Sequence, residues 1–155
     1  MPYLTLVMGL PGSGKSTLAA TLKGEIISID EVRKTSTGTY TPGKEESYVY
    51  ETVIRLLQEK FQRNEDTILD GALLSVQRRK VFLSLAKKHG YNVRVYWLDV
   101  SHSLLEKRIS QRNQTVEQDR QLTMTYIQKL TQYLEPPSDE EGIDEIYYVS
   151  DEDVT

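Results

Sequence analysis

One stretch, Gly9-Leu10-Pro11-Gly12-Ser13-Gly14-Lys15-Ser16-Thr17, constrains what this chain can fold into more than any other. The apolar run Tyr3 to Met8 precedes it and the helix-prone Leu18-Ala19-Ala20-Thr21-Leu22-Lys23 follows, so the local order reads strand, phosphate-binding loop, helix. A polyphosphate must be wrapped by backbone N–H groups that side chains would otherwise shield, which is why glycines occupy the turn. A helix starting near Lys15 adds its N-terminal partial positive charge. Gly12, Ser13, Gly14, Lys15, Ser16 and Thr17 are therefore expected to hold ATP or another nucleoside triphosphate. Lys15 is placed to reach the β- and γ-phosphates, and the Ser16 hydroxyl to ligate Mg²⁺. A glycine-rich turn with a solvated lysine is the plainer alternative, and the flanking strand and helix argue against it.

The rest of the composition narrows the class. A length of 155 residues suits one domain with a sizeable core, read here as 1–150, followed by an acidic tail at 151–155 that is expected to fray. There is no apolar run near the roughly 20 residues of a membrane span and no signal-type leader, so the protein reads as cytoplasmic with no membrane partner. Without cysteine there is no disulfide framework, thiolate nucleophile or thiolate zinc site, and His89 and His102 are too few for a metal cluster. The net charge of −4 is unevenly spread: residues 1–134 carry +5, and 135–155 carry −9 with no Lys or Arg. That pattern is a basic body with an acidic tail, read as solvated.

Strands and helices alternate along the chain. Glu25 to Ile29 reads as a second strand, with Asp30 at its carboxyl end. Residues 35–44 read as a mobile loop, with Thr41 capping the next helix and Pro42 in its first position. Tyr50, Val53, Ile54, Leu57 and Phe61 recur at helical spacing. Thr67 to Gly71 is a third strand that delivers Asp70. Ser75 caps a helix ending at Gly90, and Asn92 to Val100 is a buried fourth strand. Ser101 or Ser103 caps a helix over 104–112. A further helix runs from about Val116 to Leu134 and is stopped by Pro136-Pro137. Ile143 to Val149 alternates as an outer strand would. This order implies an α/β fold: a five-stranded parallel sheet with helices on both faces and a helical lid.

Ligands of such sheets lie outside the carboxyl ends of the strands, where the phosphate loop already sits. Asp30 and Arg33, three apart, can face one cleft: Asp30 to accept a proton from an attacking hydroxyl, Arg33 to hold an anionic part of the substrate. A capping role for Asp30 is the alternative. Asp70 either ligates Mg²⁺ through water or braces Arg33, and the brace is preferred. Asp99 reads as a structural strand-end carboxylate. Arg108 and Arg112 share a helix face, either as lid cations for a migrating phosphoryl group or as a solvated surface; periodicity alone leaves both open.

These segments together resemble the kinase domain of bacteriophage polynucleotide 5′-kinases and, more widely, the P-loop kinases. The resemblance rests on the phosphate loop, Asp30-x-x-Arg33, Ile68-Leu69-Asp70 followed by Gln77-Arg78-Arg79, and Leu105-Glu106-Lys107-Arg108-x-x-x-Arg112, and covers Tyr3 to about Leu134. It implies Asp30 as general base for a 5′-hydroxyl, Arg33 on the phosphate 3′ of the acceptor nucleotide, and Asp70 in support of Arg33. It also implies Arg108 and Arg112 as lid residues, Arg112 at the migrating phosphate.

The leading expectation is an ATP- and Mg²⁺-dependent kinase acting on the 5′ end of a nucleic acid. A kinase of a small hydroxylated metabolite, nucleoside or modified base is the alternative, because Arg78, Arg79, Lys80, Lys87 and Lys88 read equally well as a solvated helix face. A nucleotide-binding module without transfer chemistry is a third reading.

Overall fold

A computed structural model describes residues 1–116 and 121–154. Five strands, β1 (Tyr3–Gly9), β2 (Glu25–Ser28), β3 (Thr67–Asp70), β4 (Asn92–Leu98) and β5 (Glu145–Val149), form one sheet in the order β2-β3-β1-β4-β5. Every neighbouring pair is parallel. The connecting helices are α1 (Lys15–Ala19), α2 (Ile29–Thr37), α3 (Glu46–Gln62), α4 (Val76–Lys88), α5 (His102–Asn113) and α6 (Met124–Thr131), and the terminal helix is α7 (Asp151–Val154). The expected α/β architecture is therefore the one observed.

Burial explains the strand order. The apolar residues Leu4, Leu6, Val7 and Met8 make β1 the central strand, fully buried along both faces. β5 is an edge strand as expected, but its exposure does not alternate: the adjacent Tyr147 and Tyr148 are both exposed. α3 lays Val49, Val53, Leu57 and Phe61 against the largest core cluster. A second cluster of Leu105, Ile109, Ile127 and Leu74 joins α5 and α6 to the sheet edge above the phosphate loop.

Several local expectations change. α3 starts at Glu46, not at Pro42, because a turn with Glu46 N–H donating to the Gly43 carbonyl at 3.3 Å intervenes. β2 ends at Ser28, whose hydroxyl accepts from the Glu31 N–H at 3.3 Å, so Asp30 lies in the first turn of α2 and is not its cap. α1 stops at Ala19 and β4 at Leu98, both earlier than expected. Of the expected 116–134 helix, 117–120 lie outside the described residues and α6 covers only Met124–Thr131, ending before the proline pair. Ser75 caps α4 as predicted, accepting from the Arg78 N–H. Of the two candidates for α5 it is Ser101, not Ser103, that caps it, accepting from the Leu104 N–H, so α5 starts at His102 rather than 104.

The acidic segment is packed against the body. Arg79, read as part of a solvated basic face, is fully buried and forks onto Glu141, Nε to Oε1 at 2.8 Å and Nη2 to Oε2 at 3.1 Å. It also donates to the carbonyls of Leu73 at 2.8 Å and Glu135 at 2.9 Å. Lys87 pairs with Asp144 at 2.6 Å, and Asp151, at the start of the segment expected to fray, accepts from the Ser101 N–H at 2.7 Å. A negative stretch after a positive body is thus partly a set of counterions for buried or half-buried cations. Among the described residues, no helix is long and apolar enough to cross a membrane.

Candidate active site

Parallel pairing brings the carboxyl ends of β1, β2 and β3 to one edge. The register aligns Val7, Ser28 and Asp70 across the three strands. Just beyond them follow the phosphate loop, Asp30 and Gly71. Gly71 donates its N–H to the Val7 carbonyl at 3.3 Å, and a Cβ there would lie 2.6 Å from Ile29 Cδ1. A glycine after Asp70 thus lets α2 seat against β3, which fixes where Asp30 and Arg33 emerge.

The loop adopts conformations that its glycines permit. Gly12 has φ +86° and Gly14 φ +99°, both in the left-handed region. A Cβ on Gly14 would stand 2.7 Å from Arg108 Nη1, which donates to the Ser13 carbonyl at 2.8 Å. Arg108 is therefore laid across the loop. The Ser13 hydroxyl is buried without a hydrogen-bond partner among the described residues, beneath Gly9, where a Cβ would approach it to 2.8 Å.

Lys15 is buried, with Nζ donating to the carbonyls of Gly9 at 3.2 Å and Leu10 at 3.3 Å. Burial pushes its pKa down; Asp70 and Asp30 pull it back up, and Arg112 adds a downward push. Asp30, Asp70 and Arg112, from three separate parts of the chain, thus act on one ammonium. Thr17 follows on the exposed side of α1.

Asp70 is placed differently from the preferred expectation. Its Oδ2 accepts from the Ser16 hydroxyl at 3.0 Å, and the brace on Arg33 is supplied by Glu46. Burial pushes the Asp70 carboxyl up; Lys15 and the Ser16 hydrogen bond lower it, and Asp30 raises it further. Two hard oxygen donors side by side at the end of the loop fit a site for Mg²⁺, which Ser16 and Asp70 would hold.

Arg33 is 6% exposed and engages two carboxylates. Nη1 donates to Asp30 Oδ1 at 2.6 Å, while Nε and Nη2 fork onto Glu46 at 2.5 and 3.1 Å. Burial works to lower its pKa, but the hydrogen bonds it donates to Glu46 and Asp30, with their negative charges, outweigh that, so the guanidinium stays charged. The Asp30 side chain, 62% exposed, is held by one oxygen and open to solvent with the rest. Arg33 is thus an interior cation already neutralised, where the resemblance implies a side chain reaching for a substrate phosphate. Glu46 is the residue that sequence reasoning missed. Its only signal was an acid at a helix start, thirteen residues from the arginine it holds.

A family model described as an AAA domain matches residues 4–137. The chain belongs to that family. No curated protein matches it. Among solved structures, this AAA-domain chain is similar to one from the Pnkp1/Rnl/Hen1 RNA repair complex, at TM-score 0.73 and 21% identity over 86% of this chain and 44% of that one. It therefore spans less than half the length of that relative. It is also similar to a gluconokinase from Sinorhizobium meliloti 1021, at TM-score 0.62 and 20% identity, covering 96% and 82%. A third is the Mycobacterium tuberculosis APS kinase CysC bound to AMPPNP and APS, at TM-score 0.65 and 12% identity, covering 95% and 88%. At these identities the likeness is one of fold, a P-loop kinase-like α/β sheet.

Proposed function

We propose that this protein transfers the γ-phosphoryl group of ATP to the 5′-hydroxyl of DNA or RNA. The observation that carries the reading is the Asp30 carboxylate, exposed, tethered to Arg33 at 2.6 Å and close enough to Lys15 to act on its charge. In the transfer, the acceptor oxygen bonds to the γ-phosphorus and the bond to the β–γ bridging oxygen breaks, releasing ADP. Asp30 accepts the hydroxyl proton. Lys15, with Arg108 and Arg112 from α5, faces the charge that spreads over the moving group. Ser16 and Asp70 are the residues that would hold Mg²⁺, which when bound would supply charge neutralisation for the phosphates.

The test is transfer from γ-labelled ATP to a single-stranded oligonucleotide bearing a 5′-hydroxyl, repeated across salt concentration and with Asp30→Asn. The expected result is transfer whose kcat/KM falls steeply with salt, and an Asp30→Asn variant that binds ATP and keeps a residual transfer rate about 10²–10⁴-fold lower. Transfer to small hydroxylated metabolites or nucleosides but not to oligonucleotides would replace the acceptor. ATP binding with no turnover on any acceptor would leave a nucleotide-binding module.

A further inference from the structure

With Arg33 buried between two carboxylates, the cleft needs another cation if the acceptor is a polyanion. Of the basic residues on α4, Arg79 is spent on Glu141 and Lys87 on Asp144. Arg78 differs from both. It is exposed, in the first turn of α4 at the same sheet edge as Asp70, and its guanidinium lies 5.0 Å over the Tyr50 ring. Tyr50 is itself fixed by stacking on Phe82 at 5.9 Å between centroids. The Tyr50 phenol lies in the field of Glu46 and Arg33 as well as Arg78, so this cation stands next to the Arg33 cluster. Tyr126 lies in the first turn of α6 and is 37% exposed, next to Ile127, which packs in one cluster with Leu10 of the phosphate loop and Leu74 beyond β3; the charges of Arg33, Asp30 and Glu46 act on it. An arginine seated on an anchored aromatic, together with a second, partly exposed aromatic, is the pair of features that single-stranded nucleic acid uses: a charge for the backbone and a surface for a base.

We propose, building on the polynucleotide kinase reading, that Arg78 on its Tyr50 platform binds the phosphodiester 3′ of the acceptor's terminal nucleoside, and that Tyr126 stacks its base. Arg33 then serves as a positioning residue for Asp30. The chemistry selects an acceptor with an anionic first linkage over a free nucleoside.

The probe is a 5′-hydroxyl oligo(dT) 10-mer, compared with the same oligomer carrying one neutral methylphosphonate at its first linkage. The wild-type protein is expected to show a KM about tenfold lower for the charged oligomer, from one charge-assisted contact. Arg78→Ala should erase that ratio by raising KM for the charged oligomer alone, with kcat for it within about twofold of wild type. Tyr126→Leu should raise KM for both oligomers about tenfold, and Tyr126→Phe should restore it. An unchanged ratio in Arg78→Ala would overturn this assignment while leaving the kinase reading intact. A wild-type protein that phosphorylates neither oligomer would overturn both.

Discussion

The Ser16 hydroxyl donates to the Asp70 carboxylate across 3.0 Å, tying the end of the phosphate loop to the end of β3. That contact sits beside a buried lysine, and the resulting balance is uneven. Burial raises the Asp70 carboxyl more than Lys15 and Ser16 lower it.

A titration of stability follows from that balance. A carboxyl raised in the folded state contributes stability that is fully present below its unfolded value, about 3.9, and is lost as pH rises through the folded value. Asp70→Asn removes the charge and keeps an acceptor for Ser16. The variant is therefore expected to melt above the nucleotide-free wild type near neutral pH, with the gap narrowing toward about pH 4. Thermal unfolding across that range measures it, and a gap that does not narrow would refute it. The same variant should lose Mg²⁺-dependent transfer, since it removes the carboxylate charge proposed to hold the cation.

Arg79 has the opposite character, an ion pair whose partner cannot be removed cheaply. Arg79→Ala would strand Glu141, only 5% exposed, and leave the Leu73 and Glu135 carbonyls short of a donor. The expected cost is about 3–5 kcal/mol, which for a domain of this size lowers Tm by roughly 10 °C. Glu141→Gln, which keeps one hydrogen bond, should cost less. A melting shift within a degree or two for Arg79→Ala would mean that the 135–141 segment is not anchored by it.

These residues mark where sequence was legible. The phosphate loop, the parallel order, the strand that delivers Asp70 and the serine caps of α4 and α5 depend on neighbours within a few positions, and periodicity and capping chemistry report such neighbours directly. Arg79 was hidden because a basic run, Arg78-Arg79-Lys80, looks alike whether one member turns inward or not. The start of α3 and the partner of Arg33 were hidden together. Thr41-Pro42 offered a sound local start, but the helix begins where Glu46 meets an arginine thirteen residues back, across a loop whose path local sequence does not encode.

Glu46 should therefore matter to turnover without touching any reactant. Its two oxygens hold Nε and Nη2 of Arg33, leaving Nη1 aimed at Asp30. Glu46→Ala frees the guanidinium to rotate and takes Asp30 with it. Misplacing a proton acceptor by about 1 Å costs on the order of a hundredfold in kcat/KM. Glu46→Asp, with a shorter reach but the same charge, should recover part of that loss, and ATP affinity should be untouched because no Glu46 contact runs to the phosphate loop among those described. The decisive comparison is a double-mutant cycle. If Glu46 acts only through Asp30, adding Glu46→Ala to Asp30→Asn should cost nothing further. Additive losses would mean that Glu46 works by another route, and a parallel fall in ATP binding would mean that it holds up the fold instead.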